Sequence, residues 1–496
     1  MTFKPTEQQI EAIAKAQKFN SLNIEACAGA AKTTTLKLIS EAIPERSLYM
    51  AFNSVTAKEA QEKFPPHVVC RTTHSLAYAS FGRTLQHKLQ RPRGRYVNVA
   101  GTGSEIARYY KLQNIEDALT SAAVGLLVKQ TLQRFESSAD DYLMRKHVPV
   151  GELKKRPDLK DVIVETVYQA AKQLWQDRKN PSSDVLATHD TYLKLFQLSK
   201  PDLGFPVVYL DEGQDTTPCV LDIFETQECK SIMVGDRRQS IYQWRGAINA
   251  MEHRNVEKAY LSRSFRYGQA IAEIAEAVLQ KDMEIKGRED IECKIGYGVI
   301  DKTKPYMYLF RTNAALLAEA VVAIDKGEKI KIEVDVTDFI KQLQSAEALY
   351  KGDIKNVKHE SLVPYPTWYE LLEEAKADGG DLQKLVNIIS GGMGQHFIDV
   401  LSNYEVSDDA IATFTTAHKS KGRECEQVML AGDFKTHIKG GAWVGLNEFE
   451  ENLLYVAVTR AMSVLEINRS VEEVLIKYGI KYTINFERDN TEENNG

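Results

Sequence analysis

Hydrophobic and polar positions switch between two periods along the first 80 residues. Glu7 to Phe19 repeats at helical spacing, Leu22 to Ala26 reads as a short buried strand, and Lys32 to Ala42 returns to helical spacing. Ser47 to Phe52 predicts the next strand, and Ser54 to Phe64 the next helix. Strands that alternate with helices predict a parallel sheet with crossover connections. From 96 to 198 the pattern is almost wholly helical, as in Ala118 to Phe135 and Asp161 to Asp177, which predicts an inserted helical region. The mixed pattern resumes at Val207 to Leu210 and Ser231 to Val234. A second α/β unit begins near Leu261, with a strand at Tyr306 to Phe310 and a helix from Ala314. Residues 328–400 read as a second insertion, with helices at Asp338 to Tyr350 and Tyr369 to Asp378. Thr413 to Thr416 and Gln427 to Ala431 return to the second sheet. The polar, acidic stretch 485–496 is expected to be disordered.

A chain of 496 residues is too long for one hydrophobic core and suggests roughly three or four domains. Composition is ordinary for a globular protein, with 43% hydrophobic and 27% charged residues. No run of about 18 apolar residues occurs, and the start lacks the apolar core of a signal peptide. The expectation is a protein without membrane contact that is not secreted, in cytoplasm (bacterial or viral) or nucleus. Cysteines at 27, 70, 219, 229, 293 and 425 form no Cys-x-x-Cys pair, so reduced thiols are expected and a zinc or iron–sulfur centre is not. The net charge of −6 argues against a protein that coats duplex DNA, whose binding depends on neutralising phosphates. It leaves room for a groove with local positive charge and stacking rings, which is how single strands are held. The most basic stretch, from Arg83 to Arg95, fits a solvated loop as well as a nucleic-acid patch.

Three segments carry candidate chemistry. Ala26-Cys27-Ala28-Gly29-Ala30-Ala31-Lys32-Thr33-Thr34 joins a predicted strand to a predicted helix, where a phosphate-binding loop belongs. The N–H groups from Ala28 to Thr34 would face phosphates, Lys32 would reach the β/γ oxygens, and Thr33 would ligate Mg2+. The strict pattern has glycine where this chain has Ala31, and Ala31 is expected in the right-handed helical region, which alanine accepts. The loop alone equally fits an alanine-rich helix start. Val207 to Leu210 delivers Asp211 and Glu212 to a strand end, where ligands bind in open parallel sheets. Asp211 would hold Mg2+ through water, and Glu212 would orient and deprotonate an attacking water. A solvated turn fits those two residues as well. Finally, the strand at Ile232 to Val234 ends at Gly235-Asp236, followed by Gln239, Tyr242, Trp244 and Arg245. That puts a phosphate-sensing amide a few residues from two rings on which bases can stack.

The segment Ile232 to Ala247 closely resembles motif III of superfamily 1 helicases of the UvrD/Rep type, and the two preceding segments resemble their motifs I and II. Further likenesses follow in family order. Pro5 to Ile13 resembles the Q motif, with Gln9 aligned to read adenine. Tyr49 to Asn53 and Arg71 to Ser75 resemble motifs Ia and Ib. Ser262-Arg263-Ser264-Phe265-Arg266 resembles motif IV, and Phe310 to Asn313 motif IVa. Thr415 to Glu424 resembles motif V, and Glu450 to Ala461 motif VI. The likeness covers residues 5–461 and leans to the F-box DNA helicase branch, through Ala51-Phe52-Asn53, Thr73-His74-Ser75-Leu76-Ala77-Tyr78 and Asn452-Leu453-Leu454-Tyr455. The Q motif starts at residue 5, so no F-box is expected ahead of it.

The resemblance implies two RecA-like motor domains, each interrupted by a mainly helical insertion. Motor domain 1A would be 1–95 and 199–262, insertion 1B 96–198, motor domain 2A 263–327 and 401–484, and insertion 2B 328–400. It implies ATP and Mg2+ as cofactors, with ATP in the cleft between 1A and 2A. Lys32, Asp211, Glu212, Gln239, Arg266 and Arg460 would be catalytic, with Arg460 as arginine finger. Phe265 would stack on adenine, and Glu424 would reach the ribose. DNA contacts would come from Phe52, Asn53, Thr73, His74, Tyr242, Trp244, Arg245, Arg311, Asn313, Thr416 and His418. The implied activity is an ATP-dependent helicase or translocase on single-stranded DNA and its junctions with duplex, moving 3′ to 5′, as a monomeric motor in replication, repair or recombination. Single-strand-binding or recombinase proteins are candidate partners. A remodeller that strips such proteins from DNA, and a non-hydrolysing DNA-binding scaffold, remain open on the sequence.

Overall fold

The computed structural model describes residues 4–89, 100–116, 119–149, 157–243, 246–378, 380–407 and 409–484. The stretch 485–496, expected to be disordered, lies outside them, as do Trp244 and Arg245. The chain divides into two compact units. The first comprises Met1–Glu25, Lys32–Tyr260 and Lys358–Pro366, and the second Ala26–Ala31, Leu261–Val357 and Thr367–Gly496.

The first unit is built on six strands: β1 Ser21–Ala26, β2 Ser47–Ala51, β3 Val68–Thr72, β4 Val207–Leu210, β5 Lys230–Gly235 and β6 Glu257–Leu261. Their order is β3-β2-β4-β5-β1-β6, and every pairing from β3 to β1 is parallel. Helices at Glu7–Lys18, Lys32–Ala42 and Ser54–Lys63 supply crossovers. All of β2 and β4 is buried, as expected for a sheet covered on both faces. Thr6 starts the first helix through a capping box: its hydroxyl accepts from Gln9 N, and the Gln9 side chain accepts from Thr6 N.

Inserted between β3 and β4 is a helical layer. Its main helices, Ser121–Ser137, Lys160–Lys179 and His189–Leu198, enclose a core that includes Leu127, Val128, Leu132, Phe135, Val167 and Leu174. The first of these begins at Ser121, where the Thr120 side chain accepts from Ala123 N and caps it; Ala118, the predicted start, lies outside the described residues. A buried ion pair, Arg178 to Glu136 at 3.2 Å, ties two of the three together.

The main sheet of the second unit has seven described strands: β7 Lys294–Tyr297, β8 Tyr306–Phe310, β9 Ile330–Ile332, β10 Ala412–Thr416, β11 Cys425–Leu430, β12 Ala461–Glu466 and β13 Thr483–Ile484. They run β9-β10-β8-β11-β12-β7-β13, all parallel. Sequence periodicity put residues 330–332 in the second insertion. The structure makes them the edge strand of this sheet, too short for their period to register. The helices Val336–Tyr350, Trp368–Asp378, Gly380–Ser390 and Gly394–Ser402 form the helical part between β9 and β10. Two parallel sheets with helical insertions make this the α/β class the sequence predicts. Among the described residues no helix is long and apolar enough to cross a membrane.

Candidate active site and nucleic-acid groove

Three neighbouring strands of the first sheet, β4, β5 and β1, end on the same side. Past those ends lie Asp211–Glu212, Asp236–Gln239 and the loop leading to Lys32. Parallel register alone gathers residues that are up to 207 positions apart in the chain. Lys32, at the first position of its helix, places Nζ 2.9 Å from Glu212 Oε2. Burial pulls the Lys32 ammonium down, but Glu212, Asp211 and Asp236 together hold it above the usual lysine value. Asp211 is 4% exposed, accepts from Glu212 N at 2.9 Å, and accepts from the Tyr49 hydroxyl. Burial, then the Glu212 charge, raises the Asp211 carboxyl above the ordinary range. Tyr49 is fully buried, and its hydroxyl also interacts with that of Thr33.

Gln214 joins the acidic pair to the turn after β5. Its Nε2 donates to Glu212, and its Oε1 accepts from Asp236 N at 2.9 Å. The Gln239 amide donates to Asp236 Oδ2 at 2.7 Å. A continuous path therefore runs Lys32–Glu212–Gln214–Asp236–Gln239. A Cβ at Gly235 would sit 2.5 Å from Gln214 Oε1, so the turn needs glycine to admit that amide. The amide of Gln9 bonds to Thr35 Oγ1 at 3.1 Å and to Thr6 N at 3.0 Å, and the residue is 1% exposed. The sequence reading placed Gln214 in the acidic motif and Tyr49 in motif Ia on the DNA track, and linked neither to the acidic pair by a hydrogen bond. The Tyr49 signal was a hydroxyl in a wholly buried strand, which must find a partner.

Ala31 departs from expectation. Its φ is +57°, in the left-handed region, not the right-handed one. The strict motif has glycine here for that reason: an L residue meets its own carbonyl at a cost of about 1–2 kcal/mol. Replacing Ala31 with glycine relieves that cost and adds backbone freedom to the unfolded chain, which takes back part of the gain. The expected result is a rise in stability of up to about 1 kcal/mol, with affinity for a non-hydrolysable ATP analogue unchanged or modestly higher. Thermal denaturation and calorimetric titration read both; a lower melting temperature contradicts the left-handed assignment.

In the second unit, Gly29 also has positive φ (+76°), and a Cβ there would lie 2.5 Å from Ser264 Oγ and 2.8 Å from Arg266 Cβ. Phe265 N donates to Gly29 O at 2.9 Å, and Ala28 N to the Tyr455 hydroxyl at 2.8 Å. Arg266 donates through Nε to Glu424 at 2.7 Å and through Nη1 to Thr459 O at 3.2 Å. Arg460, 1% exposed, donates to Val456 O, Arg423 O and Thr459 Oγ1. The two arginines thus converge on the turn at Thr459. The Phe265 ring is partly exposed, with the Arg263 guanidinium 5.9 Å from its centroid.

The described residues expected to contact DNA fall in different settings. Phe52 and Tyr242 bring their rings nearly parallel, with centroids 6.2 Å apart and an interplanar angle of 14°, and His74 lies on the same cavity wall. Asn53 and Thr416 cap helices, accepting from Thr56 N and Lys419 N, and Thr73 is buried at a helix start. Arg311 grips Glu450, itself 4% exposed, through Nε and Nη2, one edge of its guanidinium donating to both carboxylate oxygens. The expected DNA contact is thus an internal ion pair here, because a buried carboxylate requires a partner. Asn313 is exposed at its helix start, and the His418 ring lies 5.9 Å from that of Phe449.

Parallel sheets, a lysine loop after β1 and an acidic pair after β4 define a P-loop α/β protein. The profile of the UvrD/REP helicase N-terminal domain matches residues 6–258, half of the chain, so the chain belongs to the UvrD/REP helicase family. It is 31% identical to F-box DNA helicase 1 of Gallus gallus over 95% of this chain and 50% of that protein. It is 26% identical to F-box DNA helicase protein 1 of Schizosaccharomyces pombe over 91% of this chain and 56% of that one. A probable DNA helicase II homolog of Mycoplasma genitalium is 26% identical over 26% of this chain and 20% of its own length. The chain thus spans about half the length of the F-box relatives.

Proposed function

We propose that the chain is an ATP-driven DNA helicase or translocase that moves on single-stranded DNA in the 3′ to 5′ direction. The carrying observation is the path Lys32–Glu212–Gln214–Asp236–Gln239, which leads from the phosphate lysine to the loop that bears Tyr242. The Thr33 hydroxyl and Asp211 carboxylate are hard oxygen donors, the kind Mg2+ takes beside phosphates and water, so they would hold Mg2+–ATP, and the ion would neutralise phosphate charge. Lys32 transfers from Glu212 to the phosphate oxygens when nucleotide enters. Glu212, released, orients the attacking water and accepts its proton. Gln239 passes the change along the turn to Tyr242, which alters the grip on a base. Arg266 and Arg460 supply the positive charge that phosphoryl transfer requires.

The reading extends to DNA junctions as substrate, to a monomeric motor inside the cell, and to single-strand-binding or recombinase proteins as neighbours on the strand. Its test is ATP turnover with and without a single-stranded oligonucleotide. Stimulation is expected, together with unwinding of a 3′-tailed but not a 5′-tailed duplex. Turnover that ignores DNA removes the motor reading, and unwinding from a 5′ tail reverses the direction.

A further inference from the structure

The first unit contains a cavity of about 710 Å3 whose lining joins strand-end residues to the helical insertion. Phe52, His74 and Tyr242 line it from the sheet, and Gln130, Gln133, Arg134 and Ser137 line it from the helix Ser121–Ser137. Those four follow helical spacing of three, four and seven, so they form one polar row. The other face of the helix, including Leu127, Val128, Leu132 and Phe135, belongs to the insertion core.

A polar row on an amphipathic helix is ordinarily a solvated face. Two features set this one apart. Gln130 Oε1 is buried with no hydrogen-bond partner among the described residues, an arrangement that costs free energy unless something else fills the site. Arg134 is exposed, and its guanidinium has no ion pair or hydrogen bond to any described residue. It is also the one lysine or arginine among the described residues of the lining. Some of the acidic lining is already engaged: Glu136 pairs with Arg178 and accepts from Thr191, while Asp190 lies 3.4 Å from His74.

We propose that this face of the insertion is the second wall of a single-stranded DNA groove. Arg134 binds a phosphate, and Gln130 and Gln133 hydrogen-bond the edges of bases that stack at Phe52 and Tyr242. The inference rests on the single-strand reading above and deepens it. Stacking accepts any base, whereas an amide distinguishes edges and pairs best with adenine. The insertion therefore gives the groove a base preference that its rings alone would lack.

The test is binding of labelled dA and dT oligonucleotides over a range of salt by wild type, Arg134→Ala, Gln130→Leu and Phe52→Ala. Arg134→Ala should weaken both oligonucleotides alike and reduce the slope of log affinity against log salt by about 0.7, the value of one phosphate on a single strand. Gln130→Leu should shift the dA to dT ratio toward unity without lowering the melting temperature. If Phe52→Ala weakens binding while Arg134→Ala changes neither affinity nor slope, the second wall is wrong and the groove stands. If none of the variants alters binding, the single-strand reading itself falls. An unchanged dA to dT ratio in Gln130→Leu overturns the base-edge contacts.

Discussion

Replacing Lys32 with alanine should lower DNA-stimulated ATP turnover by about 10^2–10^3-fold, the usual effect of deleting one charge-stabilising donor from a phosphoryl or acyl transfer site. Nucleotide affinity should fall with it, because the same ammonium holds the ground-state phosphates. Glu212→Gln separates the two effects. It removes the base, worth about 10^2–10^4-fold in turnover, but leaves Lys32 in place. Glu212 pairs with Lys32 at 2.9 Å, so the carboxylate competes with phosphate for the lysine. The Glu212 side chain is 27% exposed, so water weakens that competition and its removal raises affinity by a few-fold at most. The expected pattern is two inactive variants with opposite binding. Binding of a fluorescent ATP analogue reads it directly. If Glu212→Gln loses nucleotide affinity as severely as Lys32→Ala, Glu212 is a ligand of the nucleotide and not the water-orienting base.

Four strands of the first sheet and three of the second, with the residues at their ends, were legible because buried strands between helices leave a plain period in the sequence; Val68–Thr72, Glu257–Leu261, Lys294–Tyr297, Ile330–Ile332, Ala461–Glu466 and Thr483–Ile484 were not. Val207 to Leu210 and Tyr306 to Phe310 match to the residue. Partners distant in sequence were not legible. Nothing near Arg311 shows that Glu450, 139 positions later, needs its guanidinium. Nothing near Tyr49 shows Asp211 within reach of its hydroxyl. Backbone hand was hidden for a different reason. Alanine favours the right-handed region, so a sequence reading places Ala31 there, and the left-handed turn shows only in the backbone. The cavity wall on the insertion escaped notice because Gln130, Gln133 and Arg134 match no motif; their row matters only beside Phe52.

Arg178→Met should destabilise the helical insertion by about 3–5 kcal/mol, the usual effect of removing one partner from a buried ion pair. Arg178 and Glu136 are 2% and 1% exposed, so water cannot replace the lost guanidinium. Thr191 still donates to Glu136 at 2.7 Å, but one neutral donor does not balance a buried carboxylate. Burial already holds the Glu136 carboxyl above the usual glutamate range against the pull of Arg178, and losing Arg178 raises it further. A folded value above the unfolded one, near 4.3, means the folded state binds the extra proton. Stability is therefore lost as pH rises through that window and regained as pH falls back toward the unfolded value. The deficit of Arg178→Met should accordingly be largest at neutral pH and shrink toward pH 5. Adding Glu136→Gln, which keeps the acceptor for Thr191, should recover most of it at neutral pH. Glu136 sits between Arg134 and Ser137 on the helix that lines the cavity, so single-strand affinity should fall with the stability and return in the double variant. Hydrogen exchange should show the loss in residues 121–137, while nucleotide binding at Lys32 persists. A deficit independent of pH, or a double variant as unstable as the single one, would mean that Arg178 acts through packing and not through its charge.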